Sequence, residues 1–249
     1  MGDSLKFNMS GETDGGIGIA VYYEIDGGSL DDYNLKMSGD WGSLTFDGHG
    51  GSSAMGAIDD KTPNAYEEAW AVIDTDGTSA TGSATVINGG GANNMFIYTS
   101  PDMGGAVFTA AYVNHVSAAA ESYTDYSVVI TPEGIDGLSV GAAIADHTVA
   151  SSGSTDIEES TMYATYAIGS MTLGVQFSDY DHDTANSDAE STAIGISYAV
   201  NDDISISYNT HEVEFESGAS LEDQDSTGIS ASWTSGGMTL AGSTNEVDN

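Results

Sequence analysis

The feature that most constrains this chain is a period-two alternation whose second face is small, polar and nearly uncharged. Leu5, Phe7 and Met9 alternate with Lys6, Asn8 and Ser10. Ile17, Ile19, Val21, Tyr23 and Ile25 are separated by Gly18, Ala20, Tyr22 and Glu24. Tyr33, Leu35 and Met37 alternate with Asn34, Lys36 and Ser38, and Leu44 and Phe46 with Ser43, Thr45 and Asp47. Alternation of this kind marks β-strands. After a long break it predicts further strands near 94–100, 104–113, 124–131, 137–146, 158–168, 171–180, 190–200, 203–212, 225–234 and 237–245.

A water-soluble sandwich also alternates, but it turns charged residues to water and packs large ones inside. Here the apolar face is rich in Ile, Leu, Val, Tyr and Met. The other is mostly Gly, Ser, Thr, Asn and Gln, too polar and too small for a packed interior. The inverse arrangement fits: an apolar outside against lipid and a wet inside, closed so that every backbone group is paired. The expected fold class is all-β, a transmembrane antiparallel up-and-down β-barrel forming one domain over residues 1–249. About fourteen strands are visible.

The connections support this. Short turns such as Gly39-Asp-Trp-Gly, Pro101-Asp-Met-Gly-Gly, Asn201-Asp-Asp and Ser235-Gly-Gly alternate with longer acidic loops at 114–123, 147–157, 181–189 and 213–224. Short turn and long loop in alternation mark an outer-membrane barrel. Asn, Asp and Gly supply the positive φ values that tight hairpins need. Segment 26–32 is short where the rhythm expects a long loop.

Composition excludes several classes. The chain has 39 Asp+Glu against 3 Lys+Arg, a formal charge of −36, and no arginine. Nucleic acid needs Lys and Arg at its phosphates, so it is not a partner. Cations or a salty medium are the natural counterparts. Without cysteine there is no disulfide, thiolate metal site or cysteine nucleophile. No apolar stretch approaches the length of a membrane helix. No signal peptide is visible ahead of the first strand, which suggests that it was removed or that the chain starts late.

Residues 48–93 interrupt the alternation. Insertions of this length are usually functional. Pro63-Asn-Ala-Tyr-Glu-Glu-Ala-Trp-Ala-Val-Ile suggests a short helix. The segment either folds inward and narrows the lumen or hangs outside as a surface loop. The lysines favour the inward course. Strand parity puts Lys6 and Lys36 on the polar face, and the insertion carries Asp59, Asp60, Glu67, Glu68, Asp74 and Asp76 around Lys61. An inward loop would set these carboxylates against the two wall cations, as charged rings do in pores. The bland alternative is that both lysines share that face by chance.

Two runs carry a family resemblance. They are Leu5-Lys-Phe-Asn-Met-Ser-Gly-Glu-Thr-Asp-Gly-Gly-Ile-Gly and Leu35-Lys-Met-Ser-Gly-Asp-Trp-Gly-Ser-Leu-Thr-Phe-Asp. They resemble the hairpins that precede the constriction loop of Gram-negative outer-membrane general-diffusion porins, especially the alphaproteobacterial type. Met95-Phe-Ile-Tyr-Thr-Ser-Pro and Gly169-Ser-Met-Thr-Leu-Gly-Val resemble later hairpins. The resemblance implies a sixteen-stranded barrel, usually a homotrimer in the outer membrane among lipid and lipopolysaccharide. Its third loop folds inward, and small hydrophilic solutes and ions diffuse through. On that pattern one strand is missing at each end. The family's constriction wall usually carries several arginines. Here Lys6 and Lys36 stand in alone, which suggests a weaker field and a preference for cations.

Other constellations are less specific. Asp181-His-Asp offers Asp181 and Asp183 as weak candidate metal ligands, although a solvated loop is the simpler reading. Acidic loops suit Ca²⁺ at the rim, but none has the spaced EF-hand pattern. The five histidines are scattered, and no nucleophile–base grouping or zinc-type motif points to an enzyme. No cofactor other than Ca²⁺ is suggested. Trp41 and Trp233, at a turn and a strand end, suit an interfacial aromatic belt. The competing readings are an acidic secreted or surface-layer Ca²⁺-binding β protein and a substrate-specific channel.

Overall fold

The computed structural model describes residues 4–69, 87, 89, 93–114, 121–149, 156–183, 187–216 and 223–248. Fourteen strands form a single antiparallel sheet in chain order. They are β1 (Leu5–Glu12), β2 (Gly18–Asp26), β3 (Ser29–Gly39), β4 (Gly42–His49), β5 (Met95–Thr99), β6 (Ala106–Val113), β7 (Glu121–Ile130), β8 (Leu138–Val149), β9 (Ile157–Ile168), β10 (Met171–His182), β11 (Ala189–Ala199), β12 (Ile204–Phe215), β13 (Gln224–Ser235) and β14 (Met238–Asp248). All fourteen strands expected from the alternation are present. The later ones are longer at their loop ends, where Asp and Glu hid the pattern. The segment at 26–32 is a two-residue turn, Gly27-Gly28 (φ 56° and 81°), and Gly236-Gly237 repeats it (φ 58° and 80°). Both fit the mirror-image turns that follow strand twist.

The outward face is the apolar one. Leu5, Phe7 and Met9 on β1 are exposed, as are Leu173 and Phe177 on β10 and Ile194 and Ile196 on β11. Exposed apolar area on this scale is stable only in an apolar medium. Aromatics line its short-turn margin: Trp41 stacks on Tyr98 with ring centroids 6.4 Å apart, and Tyr166, Tyr198 and Trp233 are exposed there. At the loop margin the outward positions turn acidic, with Asp146, Glu158, Asp179, Asp181, Glu190, Glu212, Glu214 and Asp225. Strand β10 shows the order: Met171, Leu173, Val175 and Phe177, then Asp179 and Asp181.

The segment after β4 folds inward and runs across the inner wall from β7 to β14. It starts on an apolar cluster of Met55, Ile58 and Ile87 against Tyr123, Ala143, Ala145 and Tyr163. Beyond that it follows one row of directly paired residues, Gly174, Gly195, Asn209, Gly228 and Asn245. The glycines clear its path. A Cβ on Gly174 would lie 2.9 Å from Pro63 Cγ, one on Gly195 2.8 Å from the Pro63 carbonyl, and one on Gly228 2.9 Å from Ala69 Cα. Residues 63–69 form no α-helix, contrary to expectation. The backbone groups of Pro63, Ala65 and Glu68 bond to the wall instead, and the rest of the expected helix, 70–73, lies outside the described residues.

A side chain on that row should dislodge the segment. For Gly195→Val we expect faster proteolytic cleavage within 50–69 in detergent, with the sheet's circular dichroism retained. Gly242→Val, whose Cβ meets nothing within 4 Å, should behave as wild type. Equal cleavage rates in the two variants would contradict this packing.

Candidate functional site

The inward segment is held by side chains from four strands, β7, β10, β12 and β14, each on the inner face by parity. Asp125 on β7 is fully buried and accepts bonds from the backbone N–H of Ala54 (3.2 Å) and Met55 (2.7 Å). It also accepts from the Ala111 N–H (3.1 Å) and the Tyr123 hydroxyl (2.8 Å). Four donors on one carboxylate compensate the loss of water that burial entails.

Gln176 on β10 grips the next turn with both ends of its amide. Its oxygen accepts from Lys61 N–H (2.7 Å), and its NH₂ donates to the carbonyls of Ile58 (2.8 Å) and Asp59 (2.9 Å) and to Thr161 Oγ1 (2.9 Å). Ser207 on β12 accepts from Ala65 N–H (2.9 Å). Asn209 on β12 donates to the Pro63 carbonyl (2.8 Å), and Asn245 on β14 to the Glu68 carbonyl (3.1 Å). The segment is thus tied to the wall by its backbone.

Asp59, Asp60, Glu67 and Glu68 all lie on this segment, as expected; Asp74 and Asp76 fall outside the described residues. Asp60 and Glu68 hydrogen-bond to each other, and burial pushes both above the ordinary carboxylate range. Asn64 Nδ2 donates to Glu68 Oε1, and Thr62 N–H to Asp60 Oδ1 at 3.3 Å. Burial also raises Asp59, with Lys61 acting weakly in the opposite sense.

The wall cations are placed differently from the simple picture of lysines opposing the loop. Lys6 Nζ lies 3.1 Å from Glu24 Oε2 on the adjacent strand, where Tyr22 also donates to Glu24. Lys6 is therefore ion-paired within the wall. Lys36 is exposed on β3, in register with Ala20 and Thr45. Among the described residues, no ion pair joins either lysine to the segment's carboxylates. Asp181 and Asp183 do not form a cluster with His182. Asp181 is in register with Glu158, His182 points to the opposite face and stacks on Tyr180, and Asp183 accepts a long bond from Asp156 N–H (3.4 Å).

Parity arguments did not single out Asp125, Gln176, Asn209 or Asn245. A signal existed: Gly174, Gly195 and Gly228 sit inside strongly alternating strands, where glycine marks a close backbone approach.

The family model of the Gram-negative porins matches residues 1–249. No curated protein matches the chain. Among solved structures, OmpT of Vibrio cholerae is similar at 13% identity and a TM-score of 0.73, covering 99% of this chain and 79% of that one. An anion-selective porin from Comamonas acidovorans shares 19% identity at a TM-score of 0.69, over 98% of this chain and 78% of that one. A mutant of Rh. blastica porin shares 15% identity at a TM-score of 0.64, over 97% and 83%. At these identities the structures speak for the fold alone. With the apolar exterior, the polar interior and the inward segment, the family match settles the class: the chain belongs to the Gram-negative porins, non-enzymatic outer-membrane proteins that form transport channels.

Proposed function

We propose that this porin is cation-selective and admits small hydrophilic solutes and cations by passive diffusion. The observation that carries this reading is the distribution of charge at the inward segment. Asp59, Asp60, Glu67 and Glu68 are supplied by a strip whose backbone, not its carboxylates, holds it to the wall. Lys6 is already engaged by Glu24, and the chain has no arginine. A cation on this path meets a net negative charge, four carboxylates against Lys61, and an anion meets repulsion. The same fold serves a porin described as anion-selective, so side chains and not architecture decide the sign. We further propose a homotrimer, which OmpT of Vibrio cholerae forms in one of its solved structures.

The partners we propose for the outer surface are lipid and lipopolysaccharide, with Ca²⁺ between them and the acidic margin. That margin places carboxylates directly opposite one another. Asp146 faces Glu158 and Glu158 faces Asp181; Asp179 faces Glu190 and Glu190 faces Glu214. Like charges in opposed positions destabilise a sheet. Divalent cations between protein carboxylates and lipid phosphates relieve this, and carboxylate oxygens are hard ligands suited to Ca²⁺.

Three measurements test these proposals. A unit charge ~8 Å from an ion path in water contributes ~0.5 kcal/mol, about twofold in relative permeability. Asp59→Asn, Asp60→Asn and Glu68→Gln together should therefore lower the cation-to-anion permeability ratio several-fold, read as reversal potential in a salt gradient across a planar bilayer. Anion preference in the wild type would overturn the proposal. Acidification should act in the same direction. Burial raises Asp59, Asp60 and Glu68, so each is protonated and neutral at a pH where exposed carboxylates, with pKa values of about 4, are still charged. Cation preference should start to fall above that pH and be restored on return to neutrality. For the rim, Ca²⁺ should raise the thermal transition of the protein in lipopolysaccharide-containing bilayers. The shift should shrink when Asp179 and Glu190 are changed to Asn and Gln.

A further inference from the structure

Sequence neighbours on a regular strand point to opposite faces, so Asp31 and Asp32 on β3 should not reach the same partner. In this sheet they do. Between the pairs Tyr23↔Tyr33 and Ile25↔Leu30 the register slips, and Asp31 and Asp32 together oppose the single residue Glu24. The next ladder slips as well. Tyr33 pairs with His49 and Asn34 with Asp47, which leaves Gly48 as an extra residue on β4. Two bulges on adjacent ladders turn this corner of the sheet.

Their effect is to gather three ligand atoms. His49 Nδ1 lies 2.7 Å from Asp32 Oδ1 and 3.9 Å from Asp31 Oδ1. One donor atom from each residue lies within 4.8 Å of the others, the span of one ion's coordination sphere. Glycines make the room. Gly50, at φ 81°, passes so close to Asp32 that a Cβ would lie 2.5 Å from its carboxyl carbon. Gly51 stands in the same relation to Asp47, at 2.5 Å. Bulges re-aim side chains and recur beside functional sites.

We propose that Asp31, Asp32 and His49 bind a divalent transition cation of the zinc or copper class at the loop-side mouth of the channel. The donor set selects the class. An imidazole nitrogen with two carboxylate oxygens suits Zn²⁺ and Cu²⁺, whereas Ca²⁺ and Mg²⁺ take oxygen alone. Three protein ligands leave further positions for water, and all three side chains are reached by solvent. The cation offsets two adjacent carboxylates and cross-links the β3 bulge to the end of β4, at the root of the inward segment. This site is independent of the selectivity proposed above.

The test is titration of the full-length, detergent-solubilised protein with Zn²⁺ alone, in excess Ca²⁺ to fill oxygen-only sites. Calorimetry should show one Ca²⁺-resistant site per chain, and His49→Ala should weaken it at least tenfold. With Cu²⁺ in place of Zn²⁺, electron paramagnetic resonance should show nitrogen coupling that His49→Ala abolishes. If His49→Ala does not fold, the Asp31→Asn, Asp32→Asn pair serves in its place, with the same loss expected. Absence of a Ca²⁺-resistant site in the wild type, or unchanged binding in the folded variants, overturns the proposal.

Discussion

The apolar face of this sheet points outward, and the rest of the structure follows from that. With lipid covering the apolar side chains, hydrophobic burial no longer holds the two sides of an interior together. What remains is backbone pairing along the ladders and polar contact across the lumen. The inward segment shows the consequence. It has one small apolar patch, around Met55, Ile58 and Ile87. Beyond it every attachment named is a hydrogen bond from a wall side chain to the segment's backbone. Gln176, Ser207, Asn209 and Asn245 do this from successive parts of the wall. In a lumen open to water each such bond contributes only ~1 kcal/mol net, so several spaced anchors achieve what one apolar core would elsewhere.

Backbone tethering also separates two tasks that usually compete. A loop held by its side chains cannot change them without coming loose. Here glycines on the wall admit the segment, and amides on the wall bind its carbonyls and N–H groups. Asp59, Asp60 and Glu68 are thereby not needed to hold the segment to the wall, although Asp60 and Glu68 still bond within it. The wall sets their position through the segment's backbone. Asp125 is the contrasting case. It lies in the same lumen and carries the same functional group, but four donors commit it entirely to position.

The strands were legible in the sequence because lipid and lumen impose opposite demands on alternate residues, and Met171 to Ser178 shows it at a glance. Strand ends were not, since outward Asp181 and Glu214 look like loop residues until the rim is recognised as acidic. The inward course of the described part of the insertion, up to residue 69, was signalled by Lys6 and Lys36, yet the reason was indirect. Lys6 pairs with Glu24 in its own wall. The direct evidence was Gly174, Gly195 and Gly228, whose common row becomes visible only once cross-strand register is known. Register depends on turn lengths and bulges, which are not local properties of the sequence. Asp31 and Asp32 illustrate the limit: parity sends them apart, and a bulge brings them together.

The acidity of the chain thus divides into populations with different physical roles. The carboxylates of the inward segment are half-buried and few. Those of the rim are exposed, numerous and aligned in opposed pairs such as Asp179 and Glu190. Repulsion between the latter destabilises the sheet edge in proportion to how poorly the medium screens it, and at 0.15 M salt the screening length of ~8 Å exceeds the cross-strand spacing. Monovalent salt therefore cannot relieve directly opposed pairs, whereas an ion seated between two carboxylates can. On the Ca²⁺ bridging proposed above, the outer margin would gain stability from the surrounding cations, while the β-ladders, paired through their backbones, would not depend on them.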